Sequence, residues 1–257
     1  RLSYLLWGTM PDDALFAAAE AGELATPAQI EGQARRMLDD PRSHAAVRNF
    51  HTQWLKLDKI AVASKDPSVL PGYSTAVQAA LKEEALALVD DVLWSGDGSI
   101  DSLLTAPYTM MNATLASYYG VSGPTGDAFE RVDLDPTQHA GVLTQGGLLA
   151  ALAKPNQTSP VLRGKFVREQ LLCQILPAPP PDVDVTPPDL DPNLTTRERF
   201  AEHSANPVCA GCHRLMDPIG FGFENFDGSG RFRDDENGLA IDASGEVVAG
   251  NDADGTF

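Results

Sequence analysis

No apolar run in these 257 residues approaches the roughly 20 needed to span a bilayer; the nearest, GGLLAALA, covers only residues 146–153. Bases are also scarce: 19 Lys and Arg stand against 36 Asp and Glu, for a net charge of −17. Nucleic-acid affinity comes largely from basic side chains displacing counterions, and no basic patch with interleaved aromatics occurs, so nucleic acid is not expected as a partner. Cysteines number three, an odd count that excludes complete internal disulfide pairing. There is no Ser-His-Asp set, glycine-rich phosphate loop or H-E-x-x-H pair, so hydrolase and nucleotide readings lack an anchor. A fixed-period repeat is missing too, which argues against a solenoid. The chain opens on Arg1 without an export signal and stops at NDADGTF, so it reads as an excised middle, truncated at its end.

Helix grammar dominates the first two thirds. TPAQIEGQARRMLDD has Thr26 as a cap, Pro27 at the first position and apolar Ile30, Ala34, Met37 and Leu38 at helical spacing. The same pattern recurs in RSHAAVRNFHTQWLKL, in the run led by Ser74, in NATLASYYG with Gly120 as its stop, and in SPVLRGKFVREQLLCQIL. His44 and His51 fall on one of these helices without ligand spacing. The expected class is mainly α: an irregular helical bundle, then a proline-rich strap, then a cysteine-bearing C-terminal segment with a small β-hairpin around Ser244-Gly245. The bundle covers residues 1–176 and the strap 177–194, where PAPPPDVDVTPPDLDP favours extended polyproline conformation. The last segment, 195–257, begins with Thr195 and Glu198 as a capping box and is strongly acidic: residues 182–257 carry 5 bases and 16 acids.

Cys209-Ala210-Gly211-Cys212-His213 is C-x-x-C-H, the attachment pattern of c-type haem. Two thiols three residues apart on one turn can reach two vinyl groups, and the adjacent His213 then meets the iron as proximal ligand. Two competing readings remain. One is a zinc site drawing on Cys173, His203 or His213, although the usual second ligand pair is missing; the other is a dithiol redox or plain structural pair. Phe221, Phe223 and Phe226 are suited to a porphyrin edge, where they would lower the local dielectric. Arg163, Lys165, Arg168, Arg231 and Arg233 are candidates to neutralise propionates, with Arg163 and Arg231 preferred. For the sixth ligand, Met216 lies too close in sequence to His213 to reach the opposite face. Met111 comes first, then Met110, with His139 and His203 as further candidates, and an open distal site is the alternative. NDADGT echoes the start of a calcium loop but lacks its remaining ligands.

Taken with the blocks RLSYLLWGTMPDDAL, RRMLDDPR, FHTQWLKL, YTMMNATLASYYG, GVLTQGGLLA, TSPVLRGKFVREQLLC and CAGCHRLMDPIGFGFENFDGSGRFR, the chain resembles a family of exported bacterial multi-module proteins of unknown function. In that family, helical modules precede a cytochrome c-like haem segment. The resemblance implies a periplasmic or extracellular location and one covalent haem c. Cys173 then falls at a variable position, and Met216 where relatives carry an aliphatic residue. The expected function is an electron-transfer module working with a redox partner protein or a neighbouring haem module. The alternatives are a haem-dependent peroxidase or oxygenase, and a structural or surface-binding protein stapled by haem or zinc.

Overall fold

The computed structural model describes residues 1–178, 186–204, 207–250 and 253–257. Its helices are α1 (Leu2–Leu6), α2 (Asp13–Glu20), α3 (Pro27–Leu38), α4 (Arg42–Trp54), α5 (Thr75–Asp90), α6 (Ile100–Thr105), α7 (Ala113–Tyr119), α8 (Gly146–Ala151), α9 (Pro160–Phe166), α10 (Thr196–Ser204) and α11 (Pro207–Phe221). The strands are short: β1 (Tyr108–Met111) pairs with β2 (Glu130–Asp133), β3 (Asp235–Glu236) with β4 (Leu239–Ala240), and β5 (Glu246–Val247) with β6 (Gly255–Thr256), all antiparallel. The class is therefore mainly α with small hairpins.

Local chemistry sets the helix starts. Thr26 and Gln29 form a reciprocal capping box on α3, while Ser74, Asn112 and Ser159 each accept a backbone N–H in the first turn of α5, α7 and α9. Gly120, in the left-handed region at φ 70°, ends α7. α5 is the central element: Val77, Ala80, Leu81, Ala85, Leu88 and Val89 are all buried in a core completed by Leu57, Ile60, Leu115, Leu148 and Phe166. A smaller cluster of Trp7, Leu15 and Met37 gathers α1 to α3, with Trp7 Nε1 donating to the Met37 carbonyl at 2.8 Å.

Two expectations change. β1 and β2 had no signal of alternation, because β1 is covered on both faces and β2 is a four-residue exposed edge. The hairpin expected at Ser244-Gly245 instead turns at Asn237-Gly238, whose φ values of 57° and 79° match the two-residue turn that Asn-Gly favours. Glu246–Val247 pairs onward with Gly255–Thr256.

The C-terminal segment docks on the bundle through α11, which lies across α9. The backbones approach closely at two glycines: a Cβ on Gly164 would overlap the Met216 carbonyl, and one on Gly220 would overlap the Pro160 carbonyl. The buried side chains of Arg163 and Glu224 tie the same joint. Much of the proline-rich strap, including residues 179–185, lies outside the described residues, as do residues 251 and 252 of the NDADGT stretch.

Candidate functional site on the cysteine helix

α10 carries the capping box expected of it: the Thr195 N–H and hydroxyl both donate to Glu198 Oε2, at 2.7 and 2.8 Å, and the Glu198 N–H donates to Thr195 Oγ1. Its next residue, Thr196, is held by Glu236, which accepts from the Thr196 N–H at 2.6 Å and from its hydroxyl at 2.8 Å. α11 begins three residues past the end of α10, and its first two turns carry the motif. Helical phase puts Cys209, Cys212 and His213 on one face, at i, i+3 and i+4. Met216 and Gly220 continue that stripe, and there α9 covers it. The thiols of Cys209 and Cys212 are half-buried and not joined in a disulfide, and Cys173 is exposed.

Asp217, one turn beyond His213, has its Oδ2 at 2.8 Å from Nδ1 of the ring. This hydrogen bond is the main cause of a His213 pKa above the ordinary histidine value, acting against burial. It also fixes the ring, making Nε2 the nitrogen that an iron would take. As a donor set, two thiols and a carboxylate-backed imidazole on one helix face suit thioether attachment and axial ligation of a single haem. A tetrahedral zinc site needs four donors together. Among the described residues no group of three or more His, Cys, Asp or Glu is arranged to hold a metal ion, and the side chain of His203 lies outside them.

The other expected site residues fall in two different places. Phe221, the last residue of α11, lies about 12 Å further along the helix axis than His213, at 1.5 Å per residue, and Phe223 follows just past the helix end. Phe221 is buried beneath the Arg197 guanidinium, 4.5 Å from the ring centre. Phe223 borders an apolar cleft of about 340 Å³ with Val167, Ile219, Phe226, Phe232 and Phe257. Arg163 is at this end as well, fully buried: its Nη1 donates to the Phe223 carbonyl at 2.7 Å and pairs with Glu224, and its Nη2 donates to the Asp227 carbonyl at 3.0 Å. Arg231 pairs with Asp227 and sits over the Tyr118 ring. These two guanidiniums thus bind the tail to the bundle. Arg168 does the same, reaching the Leu215 and Val248 carbonyls, and Arg233 pairs with Glu224 and Glu236. Lys165 is half-exposed beside Glu169.

Met111 occupies the third place. It is fully buried in the bundle core on β1, which packs on α5, β2 and α7, whereas α11 packs on α9, α10 and β5. The structure does not bring Met111 to the cysteine turn. Met110 packs against the same core, and Met216 is buried on the α9-facing side of α11. His139 stands against Phe226 and Phe232. Sequence reading passed over Asp217, although its i+4 spacing from His213 was a usable signal. It also passed over Glu84, which falls in phase with buried Leu81, Ala85 and Leu88 on α5.

Comparison with known families gives two matches. Residues 1–121 match the family model PSD4, described as a protein of unknown function (DUF1592), and residues 139–236 match PSCyt3, a protein of unknown function (DUF1588). The second match holds α8 to α11 and the whole C-x-x-C-H motif. Two adjacent modules of this kind suggest a bacterial multi-module family of unknown function, and the name PSCyt3 hints at a cytochrome-related protein. The chain matches no curated protein and no solved structure. The boundary between the two modules crosses the hydrophobic core, which takes α5 and α7 from the first and Val142, Leu148 and Phe166 from the second.

Proposed function

We propose that Cys209 and Cys212 hold one covalent haem c, that His213 is its proximal ligand, and that the chain is an electron-transfer module of a larger extracytoplasmic redox protein. The observation that carries this reading is the shared face of α11, with Asp217 behind His213. Bound haem supplies a one-electron centre whose potential depends on its axial ligand and surroundings. The protein's own residues then have defined tasks. The thiols fix the macrocycle to the first turns of α11, and Asp217 orients the imidazole and raises its basicity. The acidic surface steers a basic redox partner or a neighbouring haem module. No helix among the described residues is long and apolar enough to cross a membrane, and a periplasmic or extracellular place suits the chemistry of haem attachment.

One observation favours a second reading. With Met111 held in the bundle core, the first-choice distal thioether is far from its task, which leaves room for a haem-dependent peroxidase or oxygenase with an open sixth position.

Acid–acetone extraction of denatured protein, with iron and zinc analysis, tests the proposal: haem should stay on the chain and be lost in Cys209→Ala/Cys212→Ala. One equivalent of zinc without iron would overturn it. Carbon monoxide added to the reduced protein separates the two readings: an unaltered spectrum supports electron transfer, and ready binding with peroxide turnover supports the enzyme. Asp217→Asn should raise the haem midpoint potential, because a less basic imidazole stabilises ferric iron less; potentiometry reads this directly.

A further inference from the structure

Glu84 lies on the buried face of α5 at 2 % exposure. Its Oε1 accepts from the Thr109 hydroxyl at 2.9 Å and its Oε2 from the Tyr119 hydroxyl at 2.7 Å, while Gln145 Nε2 donates to Thr109 at 3.1 Å. Among the described residues no lysine, arginine or histidine forms an ion pair with it. A buried carboxylate in this position is neutralised either by a proton or by a cation that enters. Burial pushes its pKa up to about 7, so neither form dominates near neutral pH.

The same carboxylate lines a cavity of about 90 Å³ between the bundle and the C-terminal segment, shared with Tyr119, Gln145, His139, Gly230 and Phe232. Such a volume is about that of three water molecules. His139 brings a second unmet demand: its Nδ1 is buried without a hydrogen-bond partner. Burial draws the His139 pKa down, which keeps the ring neutral and gives it an acceptor nitrogen. Tyr119 stays protonated, its pKa raised well above the ordinary value by burial, and exposed Asp135 is the charged neighbour of His139.

We propose that this cavity binds a small protonated amine of about the size of methylammonium, with Glu84 as its counter-charge and His139 as a hydrogen-bond acceptor. The inference stands apart from the haem reading. A divalent cation suits the site poorly, since hard cations collect six or more oxygens, usually with several carboxylates, and Glu84 is the single carboxylate among the lining residues. An ammonium group carries several N–H donors on a compact charge, which matches a carboxylate and a neutral imidazole that line one small space.

The test uses calorimetry and thermal unfolding of the full chain with methylammonium chloride, which remains protonated at pH 8, against sodium chloride and tetramethylammonium chloride. Methylammonium should bind saturably and raise the unfolding temperature beyond the sodium control, and tetramethylammonium, bulkier and without N–H donors, should not. At pH 7, binding should release protons as Glu84 ionises. Glu84→Gln should weaken binding at least tenfold. His139→Phe, which preserves the ring contacts with Phe226 and Phe232, should weaken it several-fold and carries the test if Glu84→Gln does not fold. Equal responses to methylammonium and sodium, binding without proton release at pH 7, or unchanged affinity in the two variants would overturn the proposal.

Discussion

At residue scale, Glu84 has a consequence for stability as well as binding. Burial pushes its carboxyl pKa up to about 7 in the fold from an ordinary 4.5, so the folded chain holds this proton more tightly than the unfolded chain does. A raised carboxylate pKa means that stability is highest below pH 4.5 for this group and falls as pH rises through about 7. The loss is about 3 kcal/mol, at 1.36 kcal/mol per unit. Glu84→Gln, which cannot ionise, should therefore gain on the wild type in urea unfolding at pH 8 in amine-free buffer and gain little at pH 5. Arg163 belongs at the same scale. Its side chain and that of Glu224 are almost fully buried together, so Arg163→Ala leaves the carboxylate with Arg233 as its remaining cation and Thr158 as a donor, and should cost about 3 kcal/mol. Circular dichroism melts would show this in haem-free protein too, which separates a structural arginine from one serving propionates. The sequence made Cys209, Cys212 and His213 legible because their relation is set by spacing within one helix. It could not do so for Arg163, whose partners arrive from 60 residues away, or for the stacking of Arg231 on Tyr118, which comes from the other module. Met111 meets a similar limit: a methionine near a helix start looks the same in sequence whether it turns toward a cofactor or, as here, into a core.

At element scale, the crossing of α9 over α11 depends on two positions without side chains. Gly164→Ala would drive a methyl group into the Met216 carbonyl, and backbone cannot yield as a side chain can. The expected cost is about 1–3 kcal/mol or more. Hydrogen exchange should quicken in α11 while α5, buried in the bundle core, keeps its protection. The helices themselves were readable because Thr26, Ser74, Asn112, Ser159 and Thr195 announce their starts and apolar spacing their faces. β1 and β2 were not, since four-residue strands offer too few alternations to count. The turn at Asn237-Gly238 was legible and passed over in favour of Ser244-Gly245, although Asn-Gly is the stronger two-residue signal.

At the scale of the whole molecule, the bundle and the segment after the strap are joined by contacts that do not run through the strap. These are the α9–α11 crossing, the Arg163–Glu224 pair and the Arg199 bond to Gln157 at 2.8 Å. A protease site introduced at exposed Leu190 should thus yield two fragments that still elute together under native conditions and separate only in denaturant. Independent elution of the C-terminal piece would mean that these contacts do not hold the parts together.

That joint also decides where the chain can vary in length. Once α9 and α11 are registered by their glycines, that crossing itself places no demand on the length of the connection between Leu172 and Thr195, and the entropy of closing a longer connection grows only with the logarithm of its length. Doubling it would cost about 0.6 kcal/mol. An inserted peptide tag, or a whole guest domain with neighbouring ends, should be tolerated there, whereas one extra residue within α9 or α11 would rotate every later contact by about 100°. Insertions accumulated over evolution are accordingly expected in this stretch and not in the helices it connects.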